Sequence, residues 1–274
     1  NVETMVEGGD YQIVMAAKDT EGNVGVGKLV GGTGLSYPDG DIFFRLNPEE
    51  TNVVISSDGS ITGSGTISTT KYINGHPVFE GQLSTNSFPH NSNHNYTIAL
   101  VTSVSNSVSS WGSFMQFTNE RDYGFTIEKY SDTTGIGAQT NNLYTSPSWN
   151  YSSYIDVPVV FFATMEGGTN VTFKVFQIST GEQIHTSTLT TSKTITTANS
   201  PIYIGESTNN EASNSPYGEL IFYNRLISST EETQLVDYLV HNWSPAVFPT
   251  LSTLRTTLTQ AVFADSTKLL ALTG

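Results

Sequence analysis

There is no cysteine among the 274 residues of this chain, which excludes a disulfide framework, thiolate metal sites and a cysteine nucleophile. A domain of this length buries enough surface to need no such staple, so an extracellular setting stays open. Charge is also scarce. Charged residues make up 13% of the chain, 11 basic against 25 acidic, for a formal net charge of −14. That field repels a phosphate backbone, and no Lys/Arg stripe offsets it locally, which argues against nucleic acid and anionic membrane surfaces as partners. No run approaches the roughly 18 apolar residues of a membrane span, so membrane insertion is not expected. No secretory signal is visible. Starting at Asn1, the chain reads as processed or excerpted from something longer.

Ser, Thr, Asn and Gly fill the place that charge leaves. Helical periodicity is nearly missing before the C-terminal end. Short alternating runs punctuated by turn residues predict a many-stranded antiparallel protein. The strands expected are Tyr11–Lys18, Asp41–Leu46, Asn52–Ser56, Tyr96–Ser103, Ser113–Thr118 and Tyr123–Lys129, then Val157–Met165, Asn170–Ile178, Pro201–Ile204 and Gly218–Tyr223. One segment departs from this pattern. Ser228-Ser229-Thr230-Glu231-Glu232 sets hydroxyls ahead of acids, and Leu235, Val236, Leu239 and Val240 follow on one face. This predicts a short helix over 229–242, stopped by Pro245. Leu251–Phe263 is weakly amphipathic and is expected as a terminal helix.

Three stretches occur in one order: Pro201-Ile202-Tyr203-Ile204-Gly205, then Tyr217-Gly218-Glu219-Leu220-Ile221-Phe222-Tyr223-Asn224-Arg225-Leu226, then Ser228 to Trp243. Upstream, Asn74-Gly75-His76-Pro77-Val78-Phe79-Glu80-Gly81 and Tyr96–Val101 supply an opening turn and a core strand. Together they resemble the concanavalin A-like, laminin-G-type (LamG-like) jelly rolls over about residues 71–244. The resemblance implies an antiparallel β-sandwich jelly roll at 71–245, closed by the short helix, with Trp243 plugging its end. Arg225 is expected to hold a carboxylate, Glu219 or Glu231. Residues 1–70 then read as an anchor or extra strands, with a Gly-rich loop at 26–34, and 246–274 as a tail. The scaffold hosts lectins, glycosidases, adhesion modules and virion proteins, so it indicates fold before function.

Candidate sites are weighed against that frame. Laminarinase-type relatives carry Glu-x-Asp-x-x-Glu on one strand, and Glu120-Arg121-Asp122-Tyr123-Gly124-Phe125 supplies only the first two carboxylates. Phe125 stands where the acid/base belongs and Glu128 falls three residues late, so no enzyme is expected. Tyr144, Trp149, Tyr151 and Tyr154 crowd a Ser-, Asn- and Pro-rich stretch, and Trp111 sits in another Ser-rich stretch. Read as loops, these offer rings to stack on sugars and amides to hydrogen-bond them. The same rings also suit packing onto the sandwich or a subunit contact. For calcium, Asp39-Gly40-Asp41 and Asp19-Thr20-Glu21-Gly22-Asn23 have suitable oxygens but also read as plain turns. His90 and His94 are too few for zinc, and Ser57-Asp58-Gly59-Ser60 reads as a hairpin turn. Sequons at Asn95, Asn150, Asn170 and Asn242 are expected by chance in so Asn- and Thr-rich a chain.

The reading is a non-catalytic carbohydrate-binding or adhesion module on a virion, a phage fibre or capsid appendage, or a cell surface. Its partner would be a glycan or cell-surface receptor. A structural coat or decoration protein, homo-oligomeric or bound to other virion proteins, is the alternative. A glycoside hydrolase is a distant third.

Overall fold

The computed structural model describes residues 11–18, 24–31, 35–49, 54–56, 61–63, 66–85, 88–89, 93–117, 125–131, 133–140, 143–191, 199–205 and 211–245. The chain divides into two compact units, Asn1–Gly34 with Ala246–Gly274, and Leu35–Pro245. In the first, β1 (Tyr11–Lys18) and β2 (Val24–Gly31) form an antiparallel pair running from Tyr11↔Gly31 to Lys18↔Val24. The Gly-rich stretch expected as a loop is therefore strand as far as Gly31, laddered to β1. The helix expected over Leu251–Phe263 lies outside the described residues.

The second unit contains β3 (Ile42–Leu46), β4 (Val54–Ser56), β5 (Ile61–Gly63), β6 (Thr66–Ile73), β7 (His76–Glu80), β8 (Leu83–Thr85) and β9 (Phe88–Pro89). It continues with β10 (Tyr96–Ser103), β11 (Ser113–Phe117), β12 (Phe125–Lys129), β13 (Gly135–Thr140), β14 (Leu143–Tyr144) and β15 (Trp149–Asn150). The last elements are β16 (Pro158–Glu166), β17 (Asn170–Gln177), β18 (Gln183–Thr190), β19 (Asn199–Ser200), β20 (Ile202–Ile204), β21 (Tyr217–Tyr223) and α1 (Ser229–Trp243). One sheet has nine strands, ordered β18-β17-β16-β10-β21-β3-β4, with β7 on β21 and β6 on β7. The other has eight, ordered β14-β13-β12-β11-β20-β8-β5, with β15 on β13. The fold is an all-β antiparallel sandwich with one helix among the described residues. β3 pairs with β21 from Leu220↔Leu46 to Tyr223↔Ile42, so the unit Leu35–Pro245 includes strands from before residue 71.

Two apolar cores explain the sequence pattern. The first lies between the sheets and includes Ile98 and Leu100 of β10, Phe161 of β16, Phe173 of β17, and Phe117, Phe125 and Ile127 of the eight-stranded sheet. The second lies on the other face of the nine-stranded sheet. Ala99, Val101, Val160, Phe162 and Ile221 meet Leu235, Leu239 and Trp243 of α1 there. With both faces covered, every residue of β10 is buried, which is why Tyr-Thr-Ile-Ala-Leu-Val lacks the apolar/polar alternation of a half-exposed strand.

The helix is fixed at both ends. Ser228 caps it, its Oγ accepting from the Glu231 amide at 3.3 Å while the Ser228 amide donates to Glu231 Oε2 at 2.8 Å. At the other end, Asn74 in the β6–β7 turn donates Nδ2 to the Trp243 carbonyl at 2.8 Å. Trp243 is fully buried, and a methyl on Gly218 would come within 2.7 Å of its ring. Glycine at 218 is thus the space in which the indole sits.

Candidate functional site

Three parts of the molecule bear on function, beginning with the polar network under the helix. Arg45 donates Nε to Glu219 Oε1 at 2.8 Å, and the Glu219 carboxylate also accepts from Tyr238 OH at 3.2 Å and Trp243 Nε1 at 3.4 Å. Tyr37 lies under the Arg45 guanidinium at 4.7 Å. Burial pushes the Glu219 carboxyl above its usual value, and Arg45 opposes that shift. Arg45, Glu219, Tyr238 and Trp243 are all buried, so the network seals the helix onto the sheet.

The second part is the cleft beside Asp39, about 620 Å³, lined by Ser36, Tyr37, Asp39, Arg225, Glu231 and Gln234. Arg225 grips Glu231 through two bonds of 2.7 and 3.0 Å and faces Asp41 at 3.6 Å. Of the two carboxylates expected for it, it therefore takes Glu231. That grip holds the Glu231 carboxyl down at about 2. Asp39 and Asp41 were the calcium candidates, and a guanidinium already stands before Asp41. Among the described residues no group of three or more His, Cys, Asp or Glu is placed to hold a metal. Asp19–Asn23, His90, Glu120, Asp122 and Ser57–Ser60 lie outside the described residues.

The third part is the outer face of the eight-stranded sheet. Met115, Phe117, Phe125, Ile127, Ile136, Ala138, Ile202 and Ile204 all belong to the inter-sheet core, so their pleat neighbours point away from it. Register aligns those neighbours into one row, Ser84↔Tyr203↔Gln116↔Thr126↔Gln139↔Tyr144. Six strands at about 4.8 Å spacing make the row roughly 24 Å long. Its centre is buried, and Thr126 Oγ1 has no hydrogen-bond partner among the described residues. Tyr203 and Tyr144 are partly exposed.

Beside Tyr144 the row ends in an aromatic corner. Glu128, on β12 two residues from Thr126, is fully buried. Tyr144 OH donates to its Oε1 at 2.7 Å, and Ser113 Oγ donates to its Oε2 at 3.4 Å. The Tyr130 ring packs edge-on against Tyr144 with centroids 4.1 Å apart, and its hydroxyl donates to the Thr145 carbonyl at 2.9 Å. Burial, with the Glu128 charge adding to it, pushes the Tyr130 phenol up to about 12 despite that bond. A methyl on Gly137, opposite Glu128 in the ladder, would collide with the Tyr130 hydroxyl. Glycine at 137 therefore gives Tyr130 its place on the sheet.

Trp111 completes the corner, its ring tilted 32° to Tyr144 with centroids 6.2 Å apart and partly exposed. Its φ is +60°, in the left-handed region that a bulky side chain seldom adopts. The surrounding loop holds it there. The Gly112 amide donates to the Ser109 carbonyl at 3.0 Å, the Ser113 amide to the Glu211 carbonyl at 2.9 Å, and Asn214 Nδ2 to the Ser107 carbonyl at 3.0 Å. A strained residue over-determined by its neighbours is a common feature of binding and catalytic sites, and the fixed ring costs a ligand no ordering.

The five aromatic candidates thus separate. Trp111 and Tyr144 meet at the corner. Trp149 and Tyr151 are 3% and 5% exposed and belong to the inter-sheet core, so neither ring is available to stack on a sugar. Trp149 pairs with Ile136 through β15 and meets Phe161 edge-on at 5.8 Å. Tyr154 is partly buried against the same core, 5.4 Å from Trp149. The Ser/Asn/Pro-rich stretch is sandwich wall, and packing explains its rings. Sequence reasoning missed Tyr130, Gln116, Gln139 and Tyr203, and set Glu128 aside. The signal for them was the polar residue at alternate positions of Met115-Gln116-Phe117, Phe125-Thr126-Ile127-Glu128 and Ile202-Tyr203-Ile204.

No family model matches the sequence, and no curated protein matches it. Among solved structures the chain is similar to the receptor binding domain of botulinum neurotoxin D, with TM-score 0.49 and 12% identity over 72% of this chain and 52% of that one. It is similar to the binding domain of botulinum neurotoxin DC in complex with SialylT, with TM-score 0.49 and 12% identity over 73% of this chain and 52% of that one. It is also similar to a Trypanosoma rangeli sialidase, with TM-score 0.48 and 11% identity over 76% of this chain and 34% of that one. The chain spans about half the length of the two neurotoxin chains. The fold of this chain is the antiparallel β-sandwich that its own two sheets define.

Proposed function

We propose that this chain is a non-catalytic carbohydrate-binding module whose site is the aromatic corner of Trp111, Tyr144 and Tyr130 on the outer face of the eight-stranded sheet. The observation that carries this reading is Trp111: a partly exposed indole held at φ +60°, set against Tyr144, over a buried carboxylate. Partly exposed rings held in this way suit the apolar face of a sugar. A binding role is favoured over hydrolysis because Glu120-Arg121-Asp122-Tyr123-Gly124-Phe125 supplies only two of the three carboxylates of the laminarinase pattern, with Phe125 where the acid/base belongs.

The reading extends to a concanavalin A-like, LamG-like module displayed on a virion or cell surface, where a low-charge, Ser- and Thr-rich exterior fits. The test is a glycan-array screen of the purified chain beside Tyr144→Ala, with folding checked by circular dichroism. Binding by the parent that falls at least tenfold in the variant supports the site. A folded parent that binds no glycan overturns it, and multimers in light scattering would then favour the coat or decoration protein.

A further inference from the structure

We infer that the β6–β7 turn is a proton-operated clasp on the C-terminal end of α1, closed while His76 is an imidazolium and loosened once it is neutral. The last carbonyls of a helix have no partner within it, and here the turn supplies partners for two of them. Asn74 and Gly75, at φ +52° and +90°, make the tight Asn-Gly hairpin between Ile73 and His76. Asn74 donates Nδ2 to the Trp243 carbonyl at 2.8 Å, and His76 donates Nε2 to the Ser244 carbonyl at 3.3 Å. The other ring nitrogen, Nδ1, is bonded to Glu49 Oε1 at 2.7 Å. The His76 ring also packs against Trp243, with centroids 5.2 Å apart.

The charge of the ring follows from its two partners. A carbonyl and a carboxylate only accept, and a neutral imidazole has a single N–H to give. Both bonds are therefore held together only when both nitrogens carry protons. With the shared proton on Glu49 instead, the pair still holds one more than a neutral ring beside an ionised carboxylate. The negative end of the helix dipole favours the same cation. Of the charged groups on the surrounding elements, Lys71 of β6 and Glu80 of β7 bind each other at 2.7 Å, and His241 in the last turn of α1 is exposed. Glu49 is the charge that acts on the ring, and its bond holds the imidazole above 6.5. Loss of the proton leaves the shorter, charge-assisted bond to Glu49 in place and turns the Nε2 lone pair toward the Ser244 carbonyl. The Ser244 amide keeps its own bond to the Val240 carbonyl at 3.0 Å. The loosening is thus confined to the last turn, where the unit Leu35–Pro245 ends.

The experiment is a pH titration of the whole chain by proton–nitrogen NMR, reading the His76 ring nitrogens together with amide hydrogen-exchange protection. Both ring nitrogens should carry protons below a midpoint that lies above 6.5. Above that midpoint Nδ1 alone should keep its proton, and protection of the Trp243 and Ser244 amides should fall about threefold or more. The Leu235 amide, in the middle of α1, should not change over the same range. Glu49→Gln removes the charge that holds the proton, so the midpoint and the loss of protection should move together to lower pH. Should that variant misfold, the parent titration still decides. A midpoint at or below 6.5, or amide protection that ignores the state of the ring, overturns the clasp.

Discussion

The helix-covered face of the nine-stranded sheet and the outer face of the eight-stranded sheet use polar groups in opposite ways. Under the helix, Arg45, Glu219, Tyr238 and Trp243 satisfy one another in a closed set. At the corner, Glu128 is equally buried, but the rings around it, Trp111, Tyr130 and Tyr144, remain partly exposed. The first arrangement locks an element in place, and the second keeps rigid rings at the surface. The difference teaches that burial of a charge alone does not mark a site; what its hydrogen-bond donors present to solvent does.

The comparison breaks most visibly under the helix. Arg45→Leu leaves Glu219 buried without its cation and should cost about 3–5 kcal/mol in urea unfolding, as for other broken buried pairs. Next, Gly218→Ala forces a methyl against Trp243 and should cost about 1–3 kcal/mol. Ser228→Ala removes the cap of α1 and should lower stability by about 1 kcal/mol. None of the three should alter glycan affinity once the chain is folded. An effect on affinity would mean that the two faces are coupled.

The smallest effect expected is on pH dependence. The hydrogen bond that the His76 ring donates to Glu49, with help from the Ser244 carbonyl, raises the His76 imidazole above its ordinary 6.5. The folded state binds that proton more tightly than the unfolded chain. This stability is therefore fully present below 6.5 and is lost as pH rises through the folded value. His185 has the opposite sign. Burial lowers its imidazole, opposed by a bond to the Pro147 backbone, so it weakens the fold as pH falls below 6.5. Melting of His76→Gln should lose the decline seen in the parent between about pH 6 and 8. If the parent shows no such decline, the Glu49–His76 pair contributes nothing.

Much of the sandwich was legible in the sequence. Tyr96–Ser103 and the helix after Ser228 follow from β-rich composition and from hydroxyl-then-acid capping. β13 was not legible, because Gly135-Ile136-Gly137 looks like a turn until Tyr130 is seen to need the space at Gly137. β18, Gln-Ile-His-Thr-Ser-Thr-Leu-Thr, carries no Phe, Tyr, Trp or Val, the residues that marked its neighbour β17. Of the proposed site, Trp111 and Tyr144 were legible as aromatic residues in Ser-rich surroundings. Trp149 was placed with them because an aromatic in polar surroundings reads alike whether it faces solvent or plugs a wall. Only the two-residue pairing of β15 with β13 turns it inward.

The central claim is that Trp111 is held in a strained backbone for binding and not for stability. It is tested most directly by Trp111→Gly, measured for urea unfolding and for glycan affinity on the same preparation. Glycine relieves the left-handed strain while adding unfolded-chain freedom, so stability should change by less than about 1 kcal/mol. Affinity should fall at least tenfold. A variant that binds as tightly as the parent, or that unfolds far more readily, would contradict the account and make Trp111 a packing residue.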